Sequence, residues 1–126
     1  MVRTVSAVVI FIITVVFCIL SLFYLKKSAS EISESLTMAV ELLHREMVDP
    51  AIDEIDLANR RWEKAERMLK IFIDHNHLEE ITVDFAELKS NLASSEFSQS
   101  LALCESILIR IKGLEETEKP YLENIL

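Results

Sequence analysis

The chain has 126 residues, of which 51% are hydrophobic, and a formal net charge of −8 at pH 7. All 21 Asp and Glu residues but only 10 of the 13 Lys and Arg residues follow Lys27, so residues 28–126 carry a formal charge of −11. An acidic segment of this kind repels nucleic acid, because binding to polyphosphates depends on Lys and Arg replacing counterions. We therefore expect no nucleic-acid partner and favour cations or basic protein surfaces.

The content of cysteine, glycine and proline favours helices. The chain has one glycine, two prolines and two cysteines, and Cys18 lies in an apolar run that is separate from Cys104. No internal disulfide between these positions is geometrically sensible. Sheets need turns rich in glycine, asparagine and proline, whereas apolar residues here recur at spacings of three and four. The sequence predicts an all-α protein.

Residues 4–25 contain no charge, proline or glycine. About 20 apolar residues in a helix cross the hydrocarbon core of a membrane. We expect residues 1–27 to form a transmembrane anchor that contacts lipid through residues 4–25. A cleaved signal sequence is the alternative, but its apolar stretch is usually shorter. Lys26 and Lys27 also separate the apolar run from the small residues that follow.

The charges that flank the anchor are nearly balanced. Arg3 and the terminal amine stand on one side, and Lys26 and Lys27 on the other. The positive-inside rule therefore decides little. Because a short N-terminal anchor usually leaves its larger domain outside a bacterial-type membrane, we expect a single-pass protein of the cell membrane with an extracytoplasmic domain.

Residues 28–48 are expected to form a stalk that is also the first bundle helix. Apolar residues recur along one face from Ile32 to Met47, and nothing between Leu25 and Ile32 breaks a helix. The stalk should therefore continue the membrane helix. Asp49 and Pro50 are expected to end it and to start the next helix, with Asp49 as the cap and Pro50 in the first helical position.

Residues 49–126 are expected to form a helical bundle. Three further apolar stripes repeat at helical spacing. They consist of Ile52, Ile55, Ala58, Trp62, Ala65, Leu69 and Phe72; then Leu78, Ile81, Phe85, Leu88 and Leu92; then Phe97, Leu101, Cys104, Leu108 and Ile111. We expect the last helix to end near Gly113 and the apolar tail to dock on the bundle. Short loops between amphipathic helices predict an up-and-down antiparallel bundle of three to four helices.

Several short segments together resemble an uncharacterised protein family. They are Phe72-Ile73-Asp74-His75, the preceding Trp62, the pair Leu88-Lys89 and the ending Leu122-Glu123-Asn124-Ile125-Leu126. The family comprises small single-pass membrane proteins of Gram-positive, often spore-forming bacteria, and is catalogued only as a domain of unknown function. The resemblance covers the whole chain and implies the same anchor and helical fold. It carries no catalytic or binding residues across.

Asp74, His75 and His77 form the only cluster with metal-ligand residue types. A zinc site would need three or four such donors that converge. The alternative is a polar loop between two helices, with Asp74 or Asn76 as the cap of the third helix and with incidental histidines. We favour the loop and expect neither a metal nor another cofactor.

The second helix carries the only concentration of basic residues, which are Arg60, Arg61, Lys64, Arg67 and Lys70. These residues could hold an anionic partner. Acidic residues precede three of them by four positions, in the pairs Asp56–Arg60, Glu63–Arg67 and Glu66–Lys70. This order favours ion pairs along one helix. We therefore expect a solvated and internally neutralised face.

Nothing in the sequence indicates an enzyme, since it has no glycine-rich phosphate loop and no nucleophile motif. We expect a membrane-anchored interaction protein, accessory or structural, that engages another membrane or envelope protein or a second copy of itself. Tyr121, Ile125 and Leu126 in the tail are the expected contact residues. The alternative is a membrane-tethered sensor that takes up a metal ion or small ligand near His75.

Overall fold

A computed structural model gives the architecture of the chain. It describes residues 1–71 and 73–125, and side chains for residues 1–71 and 73–116. Four α-helices follow one another, α1 (Val2–His44), α2 (Val48–Leu69), α3 (His75–Ala93) and α4 (Phe97–Ile125). The described residues contain no strand. The predicted all-α fold is confirmed.

The helices form a four-helix bundle with neighbours in chain order. α1 packs against α2 and α4, and α3 packs against the same two helices. The connections are short, so consecutive helices run antiparallel. The connections at 45–47 and 94–96 lie at one end of the bundle, which we call the far end. The connection at 70–74 lies at the other end, where α1 enters the bundle, and we call this the anchor end.

α1 has two halves with different surroundings. No residue before Leu25 is buried, although most of these residues are apolar. From Leu25 to Leu43 one face of the same helix is buried in the bundle, through Leu25, Ala29, Ile32, Ser35, Leu36, Ala39 and Leu43. The helix is continuous from Val2 to His44. The predicted continuity between the apolar helix and the first bundle helix is therefore confirmed.

The core follows the predicted stripes most closely in α3. All five apolar residues predicted for that helix, Leu78, Ile81, Phe85, Leu88 and Leu92, are buried. In α2 the predicted stripe is buried from Ile55 to Leu69, while Ile52 is only partly buried. Phe72 lies outside the described residues. In α2, Ala51 and Asn59 are buried in addition to the predicted residues.

α4 is rotated relative to its predicted stripe. Its described buried residues are Ser100, Cys104, Ile107, Ile111 and Leu114. Phe97 was predicted to be in the core, but it is 37% exposed. Leu101 and Leu108 are partly buried at the edge of the core. The stripe that contains Ile107 and Leu114 faces the other helices because α4 packs between α1 and α3 and so buries a wide face.

The start of α2 differs from the prediction. The helix begins at Val48 after Met47, and Asp49 is a residue of the first turn whose side chain makes no capping bond. α1 ends in a Schellman motif, with Met47 N donating to Leu42 O at 2.9 Å and Glu46 in a left-handed conformation (φ 60°). This tight turn brings the chain into α2 two residues early. Pro50 is tolerated there because amides in the first turn have no helical acceptor.

The predicted helix end at Gly113 is wrong. α4 continues through Gly113 and Pro120 to Ile125. Ile111 and Leu114 on either side of the glycine are buried, so packing extends across this position. The predicted tail is therefore the last part of α4. The side chains of Tyr121 and Ile125, and Leu126 as a whole, lie outside the described residues, so their predicted contacts stay predictions.

Candidate functional site

The loop that sequence reasoning singled out for metal binding is a helix cap. Asp74 Oδ1 accepts a hydrogen bond from the backbone N–H of Asn76 at 3.2 Å, at the start of α3. His75 Nε2 lies 3.7 Å from Glu79 Oε2, and both side chains are exposed. His77 is exposed as well. Within the described part of the chain, no three His, Cys, Asp or Glu side chains are grouped so that they could hold a metal ion.

Arg61 joins α2 to the bundle half of α1. Its Nη1 donates to the backbone oxygen of Glu31 at 3.0 Å and to Ser35 Oγ at 2.8 Å. Ser35 is buried and Arg61 is partly buried. Arg61 is therefore a structural residue at the contact between two helices, and it is not part of an anion-binding surface.

Trp62 starts a polar chain of contacts between α2 and α3. The indole Nε1 donates to Thr82 Oγ1 at 2.9 Å, and Thr82 Oγ1 donates to Glu66 Oε2 at 2.8 Å. Glu66 in turn pairs with Lys70 at 3.4 Å. Trp62 is only 1% exposed, so its N–H depends on this partner.

The charged face of α2 is neutralised partly as predicted. The predicted Glu66–Lys70 pair is present. Asp56, predicted to pair with Arg60, pairs instead with Lys89 of α3 at 3.8 Å. Arg67 Nε reaches the backbone oxygen of Glu63 at 3.4 Å. Contacts with α3 therefore replace one of the pairs predicted within α2.

A shallow groove between α3 and α4 is lined mainly by polar and acidic side chains. Its volume is about 500 Å³, and Asn76, Glu79, Glu80, Val83, Asp84 and Arg110 line it. Arg110 makes an ion pair with Glu80, and its Nε lies 2.9 Å from Asp84 Oδ2. That oxygen is buried and makes no hydrogen bond of good geometry. Three carboxylates against one guanidinium leave the groove negative. We call it the α3–α4 groove.

Sequence reasoning missed this groove because its cation comes from another helix. The spacing of Glu80 and Asp84 by four residues places both carboxylates on one face of α3. Nothing in the sequence showed that Arg110 would lie opposite them. That contact depends on how far α3 and α4 are shifted along each other and on how each helix is rotated about its own axis.

Cys104 is buried and has no nucleophilic character. Removal from water, with a smaller effect from the neighbouring Glu105 carboxylate, raises the pKa of its thiol from 9.0 to about 12. The thiolate is the reactive form of cysteine. At neutral pH Cys104 is therefore a small apolar core residue, as its position in the stripe predicted.

A second groove lies at the anchor end, between α1 and α4. Its volume is about 360 Å³, and its described lining is Leu22, Leu25, Lys26, Lys112, Glu115 and Glu116. The groove shows that α4 reaches the level at which α1 changes from exposed to buried. Two apolar side chains are exposed near the same end. Met68, in α2, is 50% exposed, and Ile71, in the following turn, is 67% exposed.

The fold and these surfaces define a class of protein: a small helical bundle carried on a long apolar helix. Residues 19–125 match the family described as "Domain of unknown function (DUF4363)". Because the match covers most of the chain, including the whole bundle, the chain belongs to this family. The predicted membership of an uncharacterised family is confirmed, whereas the bacterial lineage stays a prediction. Neither the curated proteins nor the solved structures contain a significant match.

Proposed function

We propose that the protein is a membrane-anchored interaction protein, whose bundle binds another membrane or envelope protein. The observation that carries the proposal is the unbroken helix α1. Its first half is apolar and exposed, and its second half is an integral part of the bundle. This arrangement holds the bundle at a fixed distance from a membrane.

The apolar half of α1 has the properties of a membrane span. It is long and apolar enough to cross a bilayer, and only 6% of its most apolar window is buried by the rest of the protein. A core helix of a soluble protein would be mostly buried, since exposed apolar surface costs about 25 cal/mol per Å² in water. Lipid removes this cost.

The bundle also argues for an anchor that is not cleaved. Leu25 and Ala29 lie within the region where a signal sequence would be cut, and they are only 3% and 2% exposed. Cleavage there would break α1 and remove part of the core.

We propose that the bundle lies outside the cytoplasm, because an anchor of this kind usually leaves its larger domain outside a bacterial-type membrane. A cysteine at Met47, which is exposed at the far end, provides the test. Modification of Met47→Cys by a membrane-impermeant maleimide in intact cells would support this orientation. Modification only after the cells are broken would reverse it.

The surface that we assign to the partner is the α3–α4 groove. It is concave and negative, and Val83 in its lining is 55% exposed. An acidic groove with an apolar contact point fits a basic segment of another protein, since charge complementarity favours such an encounter. No contact among the described residues favours metal or ligand sensing near His75, and we assign the chain no catalytic activity.

Photo-cross-linking in the native membrane tests this assignment. A photo-reactive amino acid replaces Val83 in the full-length chain, and captured proteins are identified by mass spectrometry. We expect one reproducible protein adduct, which is lost when Glu79→Lys reverses a charge on the rim of the groove. A second position, Tyr121, tests the contact that the sequence predicted for the tail.

The matched control is the same photo-reactive residue at Met47, which is exposed at the far end, away from the groove. The proposal requires that Met47 does not capture the protein that Val83 captures. Equal capture at both positions, or an adduct at Val83 that is insensitive to Glu79→Lys, would contradict it. Circular dichroism of each variant shows whether the bundle is intact.

A further inference from the structure

Two large apolar side chains project from the anchor end of the bundle without a cover. Met68, in the last turn of α2, is 50% exposed, and Ile71, in the following turn, is 67% exposed. The sequence places another apolar residue, Phe72, directly after Ile71. Exposed apolar side chains that follow one another at one end of a bundle, as Met68 and Ile71 do, point to a surface that is removed from water in the working protein.

The level of this turn follows from the contact of Arg61 with α1. Arg61 is bonded to Glu31 and Ser35. α2 ends at Leu69, eight residues and about 12 Å of helical rise further toward the anchor end, and Ile71 follows in the turn. The same distance along the antiparallel α1 leads from residues 31–35 back to residues 23–27.

This level coincides with the membrane boundary of the proposed anchor. The uncharged run ends at Leu25 and is followed by Lys26 and Lys27. Tyrosine is enriched at the headgroup layer that borders a membrane span, and Tyr24 is in this position. The burial of α1 in the bundle also begins at Leu25. The bundle therefore begins where the apolar run of α1 ends.

We propose that the turn between α2 and α3 lies in the interfacial layer of the bilayer that α1 spans, with Met68 and Ile71 among the lipid headgroups. The bundle then has two membrane attachments: the spanning helix and this turn. Together they fix the tilt of the bundle and the direction in which the α3–α4 groove faces. The inference rests on α1 being a membrane span and is independent of the proposed protein partner.

A fluorescent depth measurement tests this inference. The full-length chain, with Cys18→Ser and Cys104→Ala, receives a single cysteine at Met68, Ile71, Met47 or Ile12 and an environment-sensitive fluorophore. Each protein is reconstituted in vesicles of phosphatidylcholine and phosphatidylglycerol that contain spin-labelled lipid as quencher. We expect blue-shifted emission and quenching at Ile71→Cys and Met68→Cys by lipids labelled near the headgroup.

Met47→Cys is the matched control for Met68→Cys, because the two methionines are 47% and 50% exposed. They lie at opposite ends of α2, about 30 Å apart by helical rise. Quenching at Met68 and Ile71 no stronger than at Met47 overturns the inference. Ile12→Cys reports on the anchor, and we expect quenching there by lipids labelled deep in the acyl chain.

The Ile12 measurement also distinguishes the two ways in which the experiment can fail. If Ile12 is in lipid while Met68 and Ile71 are in water, the anchor stands and only the contact of the turn is wrong. If Ile12 is not in lipid, the anchor itself is wrong, and with it the basis of this inference. Because both variants in the turn replace exposed residues, either one alone can decide the result if the other does not fold.

Discussion

The indole nitrogen of Trp62 donates a hydrogen bond to Thr82 Oγ1 across the contact between α2 and α3, at 2.9 Å. Trp62 is almost completely buried, and Thr82 is its only hydrogen-bond partner among the described residues. A buried donor without a partner costs about 1–3 kcal/mol. The pair therefore favours one alignment of α2 along α3, the one that brings Trp62 beside Thr82.

Thr82→Val tests this pair, because valine keeps the shape of threonine but removes the hydroxyl. We expect the free energy of unfolding to fall by about 1–3 kcal/mol, since the Trp62 N–H loses its acceptor. The measurement is denaturant unfolding followed by circular dichroism. In the background of Trp62→Phe the same substitution should cost clearly less. Equal costs in both backgrounds would show that the hydrogen bond contributes nothing.

Arg61 provides a second test of packing between helices. Arg61→Met removes the bonds to Glu31 and Ser35 on α1 but keeps most of the aliphatic stem. We expect a loss of about 1.5–3 kcal/mol, the range for hydrogen bonds to charged groups. Arg60→Met is the matched control, because Arg60 is exposed on the same helix. A surface substitution of this kind usually changes stability by no more than about 0.5 kcal/mol. Similar effects of the two variants would refute the assigned role of Arg61.

The parts of the fold that sequence predicted well are those decided within one helix. The stripe of α3 is buried as predicted, because the period of 3.6 residues brings Leu78 to Leu92 onto one face whatever surrounds them. Contacts between helices were not predictable in this way. Arg61 was read as a surface charge, and the pairing of Arg110 with Glu80 was missed, because both contacts depend on how neighbouring helices are aligned.

The residues at which helices end were predicted less well than the residues that each helix buries. Packing between helices also decides where a helix ends. Glycine in a helix costs only about 1 kcal/mol relative to alanine. The burial of Ile111 and Leu114 on both sides of Gly113 outweighs this cost, so α4 continues. Conversely, α1 ends at His44 without a glycine, because the Schellman bonds of Glu46 and Met47 close the turn.

Gly113→Ala is expected to stabilise the protein. The glycine lies inside α4, and among the described residues a methyl group added at its Cα would meet no atom within 4 Å beyond its chain neighbours and its own helix backbone. Alanine restricts the unfolded chain, and the expected gain is about 0.5–1 kcal/mol. Thermal unfolding of the full-length protein in detergent measures the gain. A loss of stability would show that the added methyl group is not accommodated at this position of α4.

Ser95→Gly is the opposite change, because it introduces a glycine instead of removing one. Ser95 has a φ of 60°, and the N–H of the next residue, Glu96, donates to Asn91 O at 2.8 Å in a second Schellman motif. Glycine adopts this left-handed conformation without the steric cost that other residues carry. We expect a gain of about 0.5–1 kcal/mol in the free energy of unfolding. Ser94→Gly is the control, since Ser94 has a negative φ of −90° and should gain nothing.

The raised pKa of the Cys104 thiol predicts how the free energy of unfolding depends on pH in the alkaline range. Burial raises the pKa of its thiol in the bundle from 9.0 to about 12. Between these values the unfolded chain has lost the thiol proton while the folded chain retains it. The unfolded state therefore binds fewer protons, and stability falls as pH rises. The contribution is fully present below pH 9 and is lost as the pH approaches 12.

The expected slope is at most about 1.4 kcal/mol per pH unit, the value for one proton. The measurement compares the natural chain with Cys104→Ala at each pH, so that every pH effect shared by the two proteins cancels. The difference in free energy of unfolding between the two proteins should shrink from pH 9 upward, because alanine has no proton to lose. A constant difference would mean that the thiol ionises alike in both states, and that α4 admits water at Cys104.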